Sequence, residues 1–147
     1  MARLFGSLTT SAATATGTSA KTILQLVAPT NQRVAINYIA VGFKGTNPSD
    51  APIRVRVLKQ TTAGTATART PAKTAGGSTT LQSTGQENAT AEPTAGNVLY
   101  DQNVHPQSGV DKSLLGQGWE LDGGERIGIE VTAAVSVNCD ATIGFEE

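Results

Sequence analysis

The closing segment VSVNCDATIGF places Val135, Val137, Cys139, Ala141, Ile143 and Phe145 at every second position. A period of two is the repeat of a strand with one buried face; a helix, with its repeat of 3.6, cannot gather six such residues on one side. Six inward positions in succession predict a central strand. RIGIEV repeats the pattern with Ile127, Ile129 and Val131, and IRVRVLK repeats it with Ile53, Val55 and Val57 facing in and Arg54 and Arg56 facing out. These three segments set the fold class as antiparallel β.

From Thr22 onward, TILQLVA and RVAINYIAV read as two more strands joined by the turn composition PTNQ. In the second, Val34, Ile36, Tyr38 and Ala40 are expected to face inward. NVLYDQNV and GWEL supply further strands, and DGG at 122–124 is the strongest hairpin signal, because glycine adopts the positive φ of primed turns. Seven or eight short strands without an amphipathic helix predict an all-β, antiparallel β-sandwich, expected to be a jelly roll.

Two regions have little to bury. Residues 1–21 are rich in Thr, Ala and Ser and are predicted to form an extended N-terminal arm, leaving 22–147 as one β-sandwich domain. The run LKQTTAGTATARTPAKTAGG at 58–77 contains no apolar residue larger than alanine after Leu58, and Leu81 is the one large apolar side chain from there to Gly96. A Thr/Ala/Gly-rich insertion is therefore expected at about 61–96, either disordered, functional, or built from short Thr/Ala strands. Its part from 73 to 88 is read as an exposed excursion, and NATAEPTA as an edge strand ended by Pro93.

The charge balance and residue inventory exclude several classes of function. A net charge of −1 leaves no basic surplus for phosphates, so nucleic acid is not an expected partner. No apolar run approaches the roughly 20 residues of a membrane span, and the N-terminus turns to Thr and Ser where a signal peptide needs its apolar centre. Neither a membrane nor export by that route is expected. Cys139, the single cysteine, cannot form an intrachain disulfide and has an inward parity, which makes it a small hydrophobe rather than a nucleophile. His105, the only histidine, precedes Pro106 in a turn composition and reads as structural.

One histidine cannot furnish the multi-histidine ion site of a cupin-type jelly roll, so no metal and no cofactor are expected. Asp122 and Glu125 bracket the Gly pair and read as turn charges, with an acid–base pair, such as a small glycosidase would use, or a calcium site as the sharper alternatives. Trp119 is either an interface anchor or a core residue. Arg54, Arg56, Arg69 and Lys73 are the nearest approach to a basic cluster and offer a surface for an acidic partner. No set of residues forms an active site, so the chain reads as a protein that binds or assembles, not an enzyme.

The ordered series AKTILQLVAPTNQRV, LKQTTAGT, TAEPTAG, NVHPQSG, GGERIGIEVTA and the final GFEE resembles a family of small proteins encoded among the head genes of tailed bacteriophages. The likeness runs from about Lys21 to Glu147 and is weakest over the arm and residues 74–88. Such proteins are similar to capsid decoration, or cement, proteins, whose jelly-roll-like domains commonly sit as trimers on the outer shell. The resemblance implies a structural virion protein, made in the host cytoplasm and placed on the outer capsid surface. Its implied partners are the major capsid protein and further copies of itself. Arg3, Leu4 and Phe5 of the arm, with Arg54, Arg56 and Arg69, are the candidates for the capsid contact, and Trp119 for the oligomer interface. The alternative is a phage surface or tail adhesin that binds host glycans through the same loops.

Overall fold

The computed structural model describes residues 3–11, 14–15, 18–44 and 51–147, and among them it contains strands and turns without a helix. In chain order the strands are β1 (Phe5–Thr9), β2 (Thr14–Ala15), β3 (Lys21–Val27), β4 (Val34–Lys44), β5 (Ile53–Gln60), β6 (Thr65–Arg69) and β7 (Ala72–Ala75). They continue as β8 (Thr84–Ala91), β9 (Ala95–Val104), β10 (Val110–Ser113), β11 (Glu120–Leu121), β12 (Arg126–Thr132) and β13 (Asn138–Glu146). One sheet has the order β10-β4-β13-β1-β7, with β11 also on β4 and β2 also on β13; the other has the order β6-β8-β3-β12-β5-β9. Both are antiparallel, and they pack face to face as a β-sandwich.

The core follows from the alternation that the sequence displays. Ile143, Phe145, Ile39 and Leu8 of the first sheet meet Ile127, Ile129, Val55, Val57 and Leu24 of the second, all with no more than a trace of exposure. β13 is the middle strand of its sheet, and Val137, Cys139, Ala141, Ile143 and Phe145 all point inward as expected. Val135 does not: it lies before the strand begins and remains 45% exposed.

Within the arm expected over 1–21, of which residues 1–2, 12–13 and 16–17 lie outside the described residues, a paired strand replaces the extended form over 5–9. Residues 5–9 form β1, paired to β13 on one side and to β7 on the other. Leu4 and Leu8 are buried, and Gly6 between them lies under the ring of Phe145, where an added Cβ would stand 2.5 Å from Cζ. Leu8, two small residues beyond the Leu4-Phe5 pair, supplies the second anchor that turns a polar stretch into a strand.

In β4 the expected inward set also needs correction. Val34 and Ile36 are buried, but the parity then switches, and Ile39 and Val41 face the core in place of Tyr38 and Ala40. A bulge is the cause: Phe145 pairs with Ile36 and Gly144 with Tyr38, so Asn37 is an extra residue that moves every later side chain to the opposite face. Tyr38 is thereby turned outward, where its hydroxyl bonds Asp111 on β10, and its pKa is raised mainly by that bond.

The Asp-Gly-Gly turn is real, since Glu125 N–H donates to Asp122 O at 3.0 Å and Gly124 has φ +83°. It does not close a hairpin. β11 belongs to the first sheet and β12 to the second, so the turn carries the chain between sheets. It packs on the parallel crossing at 28–33, where a Cβ on Gly123 would stand 2.4 Å from the Thr30 carbonyl oxygen.

The low-apolar insertion is built of strands, the third of its expected forms. β5 and β6 are separated by β12, β3 and β8 within one sheet, so the chain between them must cross that sheet's outer face. β8 to β9 makes the return crossing beside it: Thr61 N–H donates to Thr94 O at 2.9 Å, and Thr94 N–H donates to Thr62 Oγ1 at 2.8 Å. The two crossings form one continuous ribbon from the β5–β9 pair to the β6–β8 pair. β8, expected as an edge strand, is internal, held between β6 and β3. Half of the expected excursion, 73–75 and 84–88, lies in β7 and β8, with residues 76–83 as the connection.

Beneath the ribbon lies a layer of amides. Gln86 Nε2 donates to Gln25 Oε1 at 2.7 Å, Gln25 Nε2 to Gln60 Oε1 at 2.6 Å, and Gln60 Nε2 to Thr22 Oγ1 at 2.9 Å. The remaining donors point up to the ribbon, from Gln25 to Thr62 O at 3.2 Å and from Gln86 to Ala63 O. Gln25 and Gln60 are buried, so each bond replaces a lost contact with water. Gly128 leaves the room that Gln60 needs to reach across β12; a Cβ there would meet its amide at 2.2 Å. Gln25→Ala is expected to lower stability by about 1–3 kcal/mol, the penalty for orphaned buried polar groups. Urea unfolding checks this through a fall in midpoint at constant m; a loss below about 0.5 kcal/mol, the range of ordinary surface changes, would show that the layer does not hold the ribbon.

Candidate functional site

The residues proposed for contact with a partner are dispersed, and most of them are engaged within the chain. Arg54 and Arg56 share the outer side of β5, where Arg54 pairs with Asp101 and Arg56 donates through Nη2 to Glu130 at 2.8 Å. Glu130 is buried, directly opposite Arg56 in the register, so this pair closes on itself. The Asp101 carboxyl is held below its usual range by the Arg54 hydrogen bond. Arg69 sits at the far edge of the same sheet and donates from Nε to Thr9 O at 2.7 Å. These three arginines therefore do not form one basic patch.

At the N-terminus, Arg3 pairs with Glu146 at 3.0 Å, and Leu4 exchanges two 2.8 Å backbone hydrogen bonds with Glu147. Leu4 is buried within the chain and Phe5 is half-buried. Trp119 is half-buried against the core, and its carbonyl accepts from Ile36 N–H at 2.8 Å. The core half of its two expected roles is thus visible.

The residues weighed for chemistry occupy structural positions. His105 opens the turn from β9 to β10, its Nδ1 accepting from Gln107 N–H at 3.2 Å and its carbonyl from Ser108 N–H at 3.0 Å. Cys139 is fully buried, and burial pushes its thiol up to about 12. Glu125 accepts from Lys59 Nζ at 2.7 Å and from Asp122 N–H at 2.8 Å, and these bonds, Lys59 first, hold its carboxyl below the usual range. A carboxylate kept ionised in this way is poorly suited to serve as a general acid. Among the described residues no group of three His, Cys, Asp or Glu side chains is placed to hold a metal ion.

Two features are open to a partner. The first is the side of the sandwich made by β6 and β7, the outermost strands of the two sheets, joined through Thr70 and Pro71. Their side chains are Thr and Ala apart from Arg69 and Lys73. Both cations fold back, Arg69 onto Thr9 O and Lys73 onto the carbonyls of Gly77 and, at 2.8 Å, Thr79. An edge strand ordinarily uses outward lysines to repel pairing; here the small side chains leave the backbone edge approachable.

The second is a cleft of about 480 Å³ where the end of β5, the start of β9 and the Asp-Gly-Gly turn converge. Lys59, Gln60, Thr61, Asn97, Glu125 and Arg126 line it together with Gly96, Gly123 and Gly124. Sequence reasoning passed over Arg126. The signal available was its outward parity on β12 beside a Gly-Gly turn, which by itself does not distinguish it from any solvated arginine.

Comparison with protein-family models, with curated protein sequences and with solved structures finds no match for this chain.

Two outcomes follow from the electrostatics. Glu125 is expected to titrate below the ordinary 4.5 and to move upward in Lys59→Met, followed by carboxyl NMR. Since its folded value lies below the unfolded one, the stabilisation is complete above the ordinary glutamate range and is lost as pH falls through the folded value. The partial exposure of the pair to solvent keeps that contribution small. Cys139 is expected to resist a thiol reagent in the native protein and to react fully after denaturation, because a buried protonated thiol is a poor nucleophile.

Proposed function

We propose that this chain is a structural virion protein of a tailed bacteriophage that decorates and stabilises the capsid by bridging neighbouring major capsid proteins. The family resemblance supplies the class, and the jelly-roll form of the sandwich and a trimeric state belong to the same proposal. The observation that supports it most directly is the β6–β7 side. Two backbone edges, one from each sheet, stand together with small side chains and no outward-reaching lysine, an arrangement suited to strand addition by an extended segment.

A cement protein strengthens a shell by adding contacts that must break before capsomers separate. Each contact is modest, but an oligomer makes the second and third effectively intramolecular, raising avidity by on the order of 10²–10⁴. The engagement of Arg54 and Arg56 by carboxylates of their own sheet, and of Arg69 by the Thr9 carbonyl, suits such a surface, since contact then strips water from few unpaired charges.

The test compares parent heads with and without the protein under heat and chelator. Heads lacking it are expected to open at lower temperature, and purified wild-type protein to restore them. Ala68→Lys with Thr74→Lys alters two exposed edge residues and is expected to change folding stability by no more than about 0.5 kcal/mol, while abolishing rescue. Virions that lack the protein, or heads equally stable without it, would overturn the reading.

A further inference from the structure

We propose that the cleft at the end of β5 is a carboxylate-binding site that receives an Asp or Glu side chain from the protein on which this chain docks. The inference rests on the reading of the chain as a shell-binding protein and names the chemistry of one contact. Its first basis is Arg126. The Nε of this residue is buried without a hydrogen-bond partner, and none of the ion pairs among the described residues includes its guanidinium. The guanidinium thus carries a donor that the fold has left unpaired, and Arg126, partly exposed and lining the cleft, presents its uncompensated charge to an incoming carboxylate.

The second basis is charge. Two cations and one carboxylate line the cleft, and the carboxylate, Glu125, is already occupied by Lys59 Nζ and Asp122 N–H. What faces an approaching group is therefore the uncompensated positive charge of Arg126. The contrast with Arg56 is informative: it also lies on the outer side of this sheet, yet it has Glu130 opposite, whereas the residue opposite Arg126 on β5 is Gln60, whose amide is turned to Gln25 and Thr22. The internal acceptor that the other arginines have found is missing here.

The third basis is shape. Backbone at Gly96, Gly123 and Gly124 forms part of the wall, a Cβ at Gly124 would meet nothing closer than 3.9 Å, and no aromatic ring lines the cleft on which a sugar would stack. An acidic side chain at the tip of a protein loop fits these features better than a saccharide. Guanidinium and carboxylate match in planar, bidentate geometry, which a neutral amide does not reproduce with charge.

The experiment is an NMR titration of the full-length ¹⁵N-labelled protein with three probes: acetyl-Gly-Glu-Gly-amide, the same peptide with Gln in place of Glu, and glucuronate. The Glu peptide is expected to shift the Arg126 Nε–H resonance and the amides of Gly96, Gly123 and Gly124 saturably, and the Gln peptide to leave them unmoved. Arg126→Gln is expected to remove the response and to weaken loading onto parent heads by about tenfold, the loss of one charge-assisted contact. Should that variant fold poorly, the Nε–H signal of the wild-type protein still reports binding. Absence of a shift, an equal shift with the Gln peptide, or binding of glucuronate in place of the Glu peptide overturns the proposal. Unchanged head loading by Arg126→Gln overturns it as a docking contact while leaving the cement reading intact; heads that bind neither protein sink that reading, and the titration alone then judges the cleft.

Discussion

The amide layer of Gln86, Gln25, Gln60 and Thr22 is the interaction on which the rest of the architecture depends. It lies on the outer face of the second sheet, where a sandwich ordinarily meets water, and it is sealed by the ribbon whose carbonyls at Thr62 and Ala63 take its last donors. Buried amides tolerate few alternatives: a slip of the ribbon by one residue would leave donors and acceptors unpaired in a dry environment. The layer thus selects the path by which β5 reaches β6 and β8 reaches β9. At one position of the crossing that path also excludes any side chain. Gly64, with φ +64°, sits where a Cβ would come within 2.4 Å of the Ala91 carbonyl oxygen.

The same economy shapes the surface. Along the outer side of β5, Arg54 and Arg56 each find a carboxylate on a neighbouring strand, and Lys59 finds Glu125. Arg69 and Lys73 bond carbonyls of their own chain. With these charges engaged, a partner meets two kinds of opportunity: bare strand edges of small residues at β6 and β7, and the unsatisfied Arg126 in its cleft. A protein that adds contacts to a shell needs both adhesion spread over backbone and a few charges that fix register. The proposed docking chemistry follows from what the fold has left unpaired, not from any concentration of charge visible in composition.

Much of the sandwich was legible because alternation reports burial directly. Ile53, Val55 and Val57, then Ile127, Ile129 and Val131, then Cys139 through Phe145 all face inward as their spacing implies. Where alternation failed as a guide, a residue was doing something that only a neighbouring strand can specify. Asn37 looks like an ordinary outward position, but its unpaired place opposite the Gly144-Phe145 step reverses β4. β1 looked too polar to be a strand; Leu8 secures it only because β13 and β7 are there to pair with it. Asp122 to Glu125 carries the local signal of a turn, and local signals do not say which sheet the following strand will join. The candidate site was less legible still. Arg126 is one outward residue among many, and its significance comes from the absence of an acceptor on β5.

By itself, then, the amino-acid order determined the class of fold, the positions of most strands and the faces they bury, because side-chain period and turn chemistry act over a few residues. Tertiary structure alone decided strand order, the crossing ribbon, the parity of β4 after its bulge and the isolation of Arg126. Each of these depends on which distant backbone or side chain lies opposite. Hydrogen-bond satisfaction is a property of the packed pair, and one strand read along its length carries only half of it.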